Sequence, residues 1–280
     1  MVKQKNTRVA FQGELGAYSQ EALLKHFKKN TVAVPSQDFA LILERVINDE
    51  VDYAILPVEN SLAGSVIPAY DELIKFDLRI QYEVILKVKH CLLTLPEQNT
   101  QALQKVYSHP QALAQCSHHC KQLNITPHPF QDTAGAAKYI SENKIENVAA
   151  IASELAAEIY GLQIVRKNFE DESFNFTRFF VMAKNDTAVF DHTKTYKTSI
   201  IFATRHQPNA LVEVLNCLSN NGINLTKIES RPTRHRAWDY LFFVDFMGHE
   251  DETHVQKAFL SLLKHTSLLK VLGSYQSEVV

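Results

Sequence analysis

Four times in the first 165 residues the chain repeats one local plan: a short apolar strand, a loop of small polar residues, then an amphipathic helix. "RVAFQGELGAYSQEALLKHF" runs from a strand over 8–12, through Gly13 and Gly16 to Ser19, into a helix that extends to about Lys28. "VDYAILPVENSLAGSVIPAYDELIKF" repeats it, with a strand over 51–57, a turn at Glu59-Asn60-Ser61 and a helix from about Ser65. A strand over 105–108 feeds a helix entered through Pro110, whose missing N–H would have no partner in a first turn anyway. A strand over 148–152 leads to Ser153 as N-cap and a helix closed at Gly161.

Strands alternating with helices in this way imply an α/β protein, with parallel sheets covered by helices. A ligand of such a sheet lies outside the carboxyl ends of the strands, beside the helix N-termini. Free backbone N–H groups and the positive helix end suit carboxylates or phosphates there. One Ser or Asn in such a loop is ordinary capping. Four in one chain, two of them dense in small polar residues, point to a small anionic ligand. The strand-rich segment 76–94 crosses from one lobe to another and 165–184 crosses back, which places a cleft between two lobes, the second over about 78–165.

Beyond the polar stretch 184–196 the plan changes. "KTSIIFAT", "PNALVEVLNCLSNN", "GINLTKIESRP", "AWDYLFFVDFMG", "DETHVQKAFLSLLKH" and "SLLKVLGSY" read as β-α-β-β-α-β, the ferredoxin-like order. Two domains are expected, 1–186 and 196–280. A four-stranded sheet covered on one face leaves an edge or face to pair, so self-association is expected. Nothing in the second domain resembles a nucleophile–base pair, and binding or assembly is the role read for it.

Net charge narrows the partners. At −2 over 280 residues, with no basic stripe, nucleic acid has no support, and an anion must be held by local groups. The N-terminus reaches strand-like residues by Val9 without a long apolar run, so no secretory signal is expected. No segment approaches the roughly 20 apolar residues of a membrane span. Four unevenly spread cysteines suit a reducing, cytoplasmic setting. Cys116 and Cys120 share a helix face near His109, His118 and His119, but no second ligand pair follows at finger-like spacing, and no metal site is expected.

With these motifs in place, the chain closely resembles the prephenate dehydratase family over nearly its whole length. The resemblance rests on "GELGAYSQEA" (13–22), "PVENSLAGSV" (57–66), "SHPQALAQC" (108–116), "DTAGAA" (132–137), "AAIAS" (149–153) and "NFTRF" (175–179). The C-terminal part is similar to the ACT domain of that family through "INLTKIESRP" (223–232) and the weaker "PNALVEVL" (208–215). The resemblance implies a bilobed catalytic domain like type II periplasmic binding proteins, a ferredoxin-like βαββαβ ACT domain, and conversion of prephenate to phenylpyruvate on the way to phenylalanine. With the first strand near Arg8, it resembles the form without a preceding mutase domain. No redox cofactor or metal is required, because aromatisation drives the loss of water and CO2.

By the same resemblance Thr177 is the essential hydroxyl, donating to the leaving oxygen, and Glu59 is the nearest motif carboxyl, either a stronger acid behind it or a structural holder of the 57–66 turn. Asn60, Ser61, Ser108, Gln115, Thr133 and Ser153 map onto the cleft motifs as substrate donors, with Gln115 about two turns into its helix. Two placements stay open for Arg178. Strand alternation puts it behind Thr177, paired with an acid, whereas a strand end or bulge lets it clamp a substrate carboxylate. The ACT domain implies feedback by L-phenylalanine through Asn209, Ala210, Leu211, Val212, Glu229, Ser230 and Arg231. Asn209 stands where the family usually has Gly, and as a good N-cap it leaves the helix intact. Arogenate dehydratase is the near alternative, and a non-catalytic amino-acid sensor the distant one.

Overall fold

The computed structural model describes residues 6–28, 30–185, 189–232 and 240–278. The described chain forms two compact units, one of residues up to Glu72 with Val84–Phe180, the other of Leu73–Glu83 with residues from Val181 onward. The domain boundary expected at 186 and the first residues of the strand expected from 237 lie outside the described residues.

In the first lobe β1 (Thr7–Gln12), α1 (Tyr18–Phe27), β2 (Thr31–Ser36), α2 (Phe39–Ile47) and β3 (Tyr53–Asn60) follow one another. β4 (Gly64–Ser65), α3 (Ile67–Leu73) and β5 (Arg79–Lys87) come next. The sheet order is β2-β1-β3-β11-β5, where β11 is Phe176–Ala183 and β4 pairs with β3. β1 runs parallel to both β2 and β3. Val9, Ala10, Phe11, Ala54, Ile55 and Leu56 are wholly buried, the unbroken apolar run that a sheet covered on both faces demands. α2 turns Ile42, Leu43 and Val46 inward and starts on Asp38, whose carboxylate accepts from Leu41 N–H at 2.8 Å. β5 and β11 each run from one unit into the other.

The second lobe holds β6 (Cys91–Thr94), β7 (Lys105–Ser108), α4 (Pro110–Gln115), α5 (Ser117–Gln122), β8 (Thr126–Pro129), α6 (Thr133–Asn143), β9 (Val148–Ala152), α7 (Glu154–Tyr160) and β10 (Gln163–Arg166). Its order is β10-β6-β9-β7-β8, parallel where β7 meets β8 and β9, antiparallel where β6 meets β9 and β10. α6 buries Ala134, Gly135, Ala136 and Ala137, a face of small side chains. Cys116 and Cys120 are buried among Leu92, Val106, Ile125 and Phe169, and burial raises the Cys120 thiol to about 11.

The second unit carries β12 (Tyr196–Thr204), α8 (Ala210–Ser219), β13 (Leu225–Pro232), β14 (Tyr240–Met247), α9 (Thr253–His265) and β15 (Thr266–Gln276), in sheet order β13-β14-β12-β15. This is the ferredoxin-like split motif. Its helices pack Val214, Leu218, Val255, Ala258 and Leu262 onto Ile200, Phe202, Val244 and Phe246. Each buried Val, Leu, Ile or Phe among them contributes about 1.5–3 kcal/mol. The segment Leu73–Glu83 is tied to this unit by Lys270, whose ammonium donates to the Phe76 carbonyl at 2.6 Å, and by Lys197 to Glu83 at 2.9 Å.

Candidate active site

Between the two sheets of the first unit lies a cavity of about 140 Å³. Tyr18, Asn60 and Thr177 line it from the first lobe, Val88 and His90 from the segment between lobes, and His109, Gln111, Ala112, Gln115 and Thr133 from the second. Asn60 ends β3 and Thr177 stands at the start of the neighbouring β11, while Thr133 opens α6. The strand ends and helix starts of the repeated plan therefore meet at this point.

Asn60 organises the first-lobe side. Its Oδ1 accepts from the backbone N–H groups of Leu62 and Ala63 at 3.1 and 3.0 Å, and because these can only donate, the orientation of the amide is fixed. Its Nδ2 then faces Asn175 Oδ1 at 2.8 Å, Thr177 Oγ1 at 3.0 Å and the Phe176 carbonyl at 3.1 Å. An amide NH₂ does not accept, so Thr177 cannot donate to it. Among the described residues Thr177 has no other side-chain partner, and its proton is left for the cavity that it lines.

Opposite stands His90, buried, with Nε2 at 2.9 Å from Gln115 Oε1 and Nδ1 at 2.7 Å from Tyr18 Oη. Burial lowers the His90 pKa and drives that of Tyr18 well above its usual value. His109 caps α4, its Nδ1 accepting from Gln111 N–H at 3.2 Å, and burial lowers its pKa against a smaller opposing pull from Asp132. Asp132 caps α6 through Gly135 N–H at 2.6 Å, and desolvation raises its pKa.

Of the residues expected to contact substrate, Asn60, Gln115, Thr133 and Thr177 line the cavity. The others use their polar atoms elsewhere. Ser108 is fully buried and donates to the Ile151 carbonyl at 2.6 Å, tying β7 to β9. Ser153 caps α7 through Ala156 N–H and donates to the Gly16 carbonyl at 2.6 Å, joining the lobes. Ser61 donates to Phe174 O at 3.1 Å and accepts from Phe176 N–H at 2.9 Å, fixing the entry to β11. Glu59 does not stand behind Thr177 as an acid. Adjacent strand residues face opposite ways, so Asn60 and Thr177 share the cavity face while Glu59 and Arg178 share the other, 3.7 Å apart. Arg178, over the Phe180 ring at 4.8 Å and beside Glu59, fits the paired placement. Gln115 lies nearly two turns into α4 as its last residue, since the helix breaks at Cys116.

In the second unit Asn209 precedes α8 with φ +67° and forms no side-chain cap bond. The expectation that it serves as an ordinary N-cap is corrected: it is tolerated because Asn, like Gly, accepts left-handed backbone. Ala210, Leu211 and Val212 form the first turn of α8, Ala210 buried and Val212 exposed. Glu229, Ser230 and Arg231 lie in β13, an edge strand separated from β12 by β14.

Sequence reading missed Tyr18, His90, His109, Gln111 and Asn175. Four stood inside quoted motifs, Tyr18 in "GAYSQ", His109 and Gln111 in "SHPQ" and Asn175 at the head of "NFTRF". His90 had no local signal, because only tertiary folding brings the end of the crossover segment to the cavity.

The prephenate dehydratase family model matches residues 9–187 and the ACT domain model residues 198–264. Arogenate dehydratase/prephenate dehydratase 2, chloroplastic, of Arabidopsis thaliana is 43% identical over 277 residues, covering 96% of this chain and 72% of its own. A solved prephenate dehydratase from Arthrobacter aurescens, in complex with L-Phe, is 27% identical with a TM-score of 0.89, covering 97% of this chain and 90% of that one. GqqA, described as a novel type of quorum quenching acylase, is 32% identical with a TM-score of 0.90, covering 97% and 98%. The fold is α/β, with two periplasmic-binding-protein-like lobes and a C-terminal ACT domain. The chain belongs to the prephenate dehydratase family of hydro-lyases.

Proposed function

We propose that this chain converts prephenate to phenylpyruvate, water and CO2, with L-phenylalanine as feedback effector at the ACT domain. The observation that carries the reading is the Thr177 hydroxyl, which faces an amide donor and so keeps its proton for the cavity. In the reaction the ring C–O bond breaks and the departing oxygen takes up a proton to leave as water. The carboxylate C–C bond breaks in turn, its electron pair aromatises the ring, and CO2 departs. Thr177 donates to the oxygen as its charge develops, an interaction stronger in the transition state than in the ground state.

Prephenate is preferred over arogenate because the residues lining the cavity include no carboxylate, whereas an ammonium substituent needs one. A keto acid needs the donors that Gln115, Gln111 and Thr133 supply. Arogenate remains the second reading, favoured by the names of the plant relatives and by a neighbouring cavity of about 260 Å³ that carries Glu14 and Asp132. Acyl transfer has less support: a hydroxyl nucleophile needs a base to take its proton, and Thr177 faces a donor. The edge strand β13, with Ile228 exposed, supports self-association as a homodimer or homotetramer, and four unpaired, buried cysteines suit the reducing cytoplasm. kcat/KM measured for prephenate and for arogenate, each with and without L-phenylalanine, tests the reading. Higher kcat/KM for prephenate and inhibition by L-phenylalanine are expected; preference for arogenate overturns the substrate assignment.

A further inference from the structure

One unbroken chain of side-chain hydrogen bonds runs along the cavity, and each of its directions follows from the one before. Asn60 is oriented by the Leu62 and Ala63 amides, so its Nδ2 donates to Asn175 Oδ1. Asn175 is wholly buried, and with its oxygen so engaged, its Nδ2 must be the group 3.0 Å from Gln115 Oε1. Gln115 Oε1 is therefore an acceptor, and His90 Nε2, 2.9 Å away, must carry a proton. A neutral imidazole with its proton on Nε2 has a bare Nδ1, which accepts from Tyr18 Oη at 2.7 Å in preference to the Lys89 carbonyl at 3.1 Å. The Glu170 carboxylate accepts the backbone N–H of His90 at 2.8 Å and does not touch the ring in this chain of bonds.

We propose that Asn175 and His90 are positioning residues, which hold Gln115 with its carbonyl toward the wall so that its NH₂ joins the Thr177 hydroxyl in presenting donors to the substrate. This rests on the dehydratase reading, and it extends that reading from a single hydroxyl to a polarised wall. The depressed pKa of His90 and the raised pKa of Tyr18 keep both neutral, as the directions require. Neither residue needs to touch substrate through a reacting atom. Their effect passes through the orientation of one amide.

The test is the tautomer of His90, read from the ¹⁵N chemical shifts of its ring in the full-length protein without substrate, together with steady-state kinetics on prephenate. The Nε2–H tautomer is expected in the wild type, and a proton on Nδ1 overturns the proposal whether or not prephenate is turned over. Asn175→Asp keeps the acceptor for Asn60 but sets a carboxylate oxygen against Gln115 Oε1, which forces that amide to rotate. KM should rise about 10- to 100-fold, the worth of a donor to a charged acceptor, with a much smaller change in kcat. His90→Gln, whose amide can donate to Gln115 as the ring does, should keep KM within roughly threefold of wild type. An unchanged KM in Asn175→Asp overturns the proposal, and loss of turnover in every form, with His90 still in the Nε2–H tautomer, overturns the dehydratase reading instead.

Discussion

Replacing Asn60 by Asp keeps the Thr177 hydroxyl but changes its aim, and by setting a carboxylate oxygen against Asn175 Oδ1 it also turns the Asn175 amide over. The Leu62 and Ala63 amides would hold one carboxylate oxygen as they hold Oδ1 now, and the other would face Thr177 Oγ1 as an acceptor. Thr177 would then donate to its neighbour and not to the substrate, and kcat should fall about 10²–10³-fold with an unchanged circular dichroism spectrum. A variant with wild-type kcat would show that the direction of this proton is immaterial. His90 gives a second residue-scale outcome. Burial holds its folded pKa below the unfolded value, so the unfolded chain binds a proton first as pH falls. Its contribution is intact above roughly pH 6.5 and is lost as pH drops through the lowered folded value. Between pH 7.5 and 5.5 the urea midpoint of the wild type should therefore fall further than that of His90→Gln. Equal falls would mean that His90 carries no depressed pKa.

Elements in this chain are joined through backbone as much as through side chains. Gly16 has φ +88°, and a Cβ built on it would stand 2.7 Å from Ala156 Cα in α7. Its N–H donates to Gln20 Oε1 and its carbonyl accepts from Ser153, so one residue fixes the start of α1 and the seam between lobes. Gly16→Ala should destabilise the protein by about 1–3 kcal/mol through left-handed strain and this contact, read as a lower midpoint in urea. An unaltered midpoint would show that the seam yields at no cost. The strand–loop–helix plan, the Ser153 cap and the Gly161 stop were legible because each depends on local chemistry. The donors assigned to Ser61, Ser108 and Ser153 were misread for the same reason. A serine suits a helix start or a ligand equally well, and only the placement of Ile151, Phe174 and Gly16 decides which. Strand alternation agrees with the Glu59–Arg178 pair on the face away from the cavity, and Gln115 sits one turn after Gln111 on the helix face that lines it, whereas the break in α4 at Cys116 left no mark in the sequence.

At the scale of the whole molecule, the cavity residues and the residues proposed for effector binding fall in separate compact units, and effector binding should act on turnover without supplying any atom to the reaction. L-Phenylalanine at 100 times its Kd should stabilise the folded protein by about 2.7 kcal/mol, seen as a raised Tm, and should lower prephenate turnover. A raised Tm with unaltered turnover would mean that the ACT domain binds without controlling. Asn209→Gly should preserve this response, since both residues accept the left-handed backbone that opens α8, whereas Asn209→Ala should weaken the domain by about 1–2 kcal/mol. The claim on which the rest depends is that the Thr177 hydroxyl assists departure of the ring oxygen. Phenylpyruvate formation from prephenate, followed for the wild type, Thr177→Ser and Thr177→Ala, tests it directly. Activity in Thr177→Ser with a loss of about 10²–10³-fold in Thr177→Ala is the expected result, and a Thr177→Ala variant as fast as the wild type would contradict it.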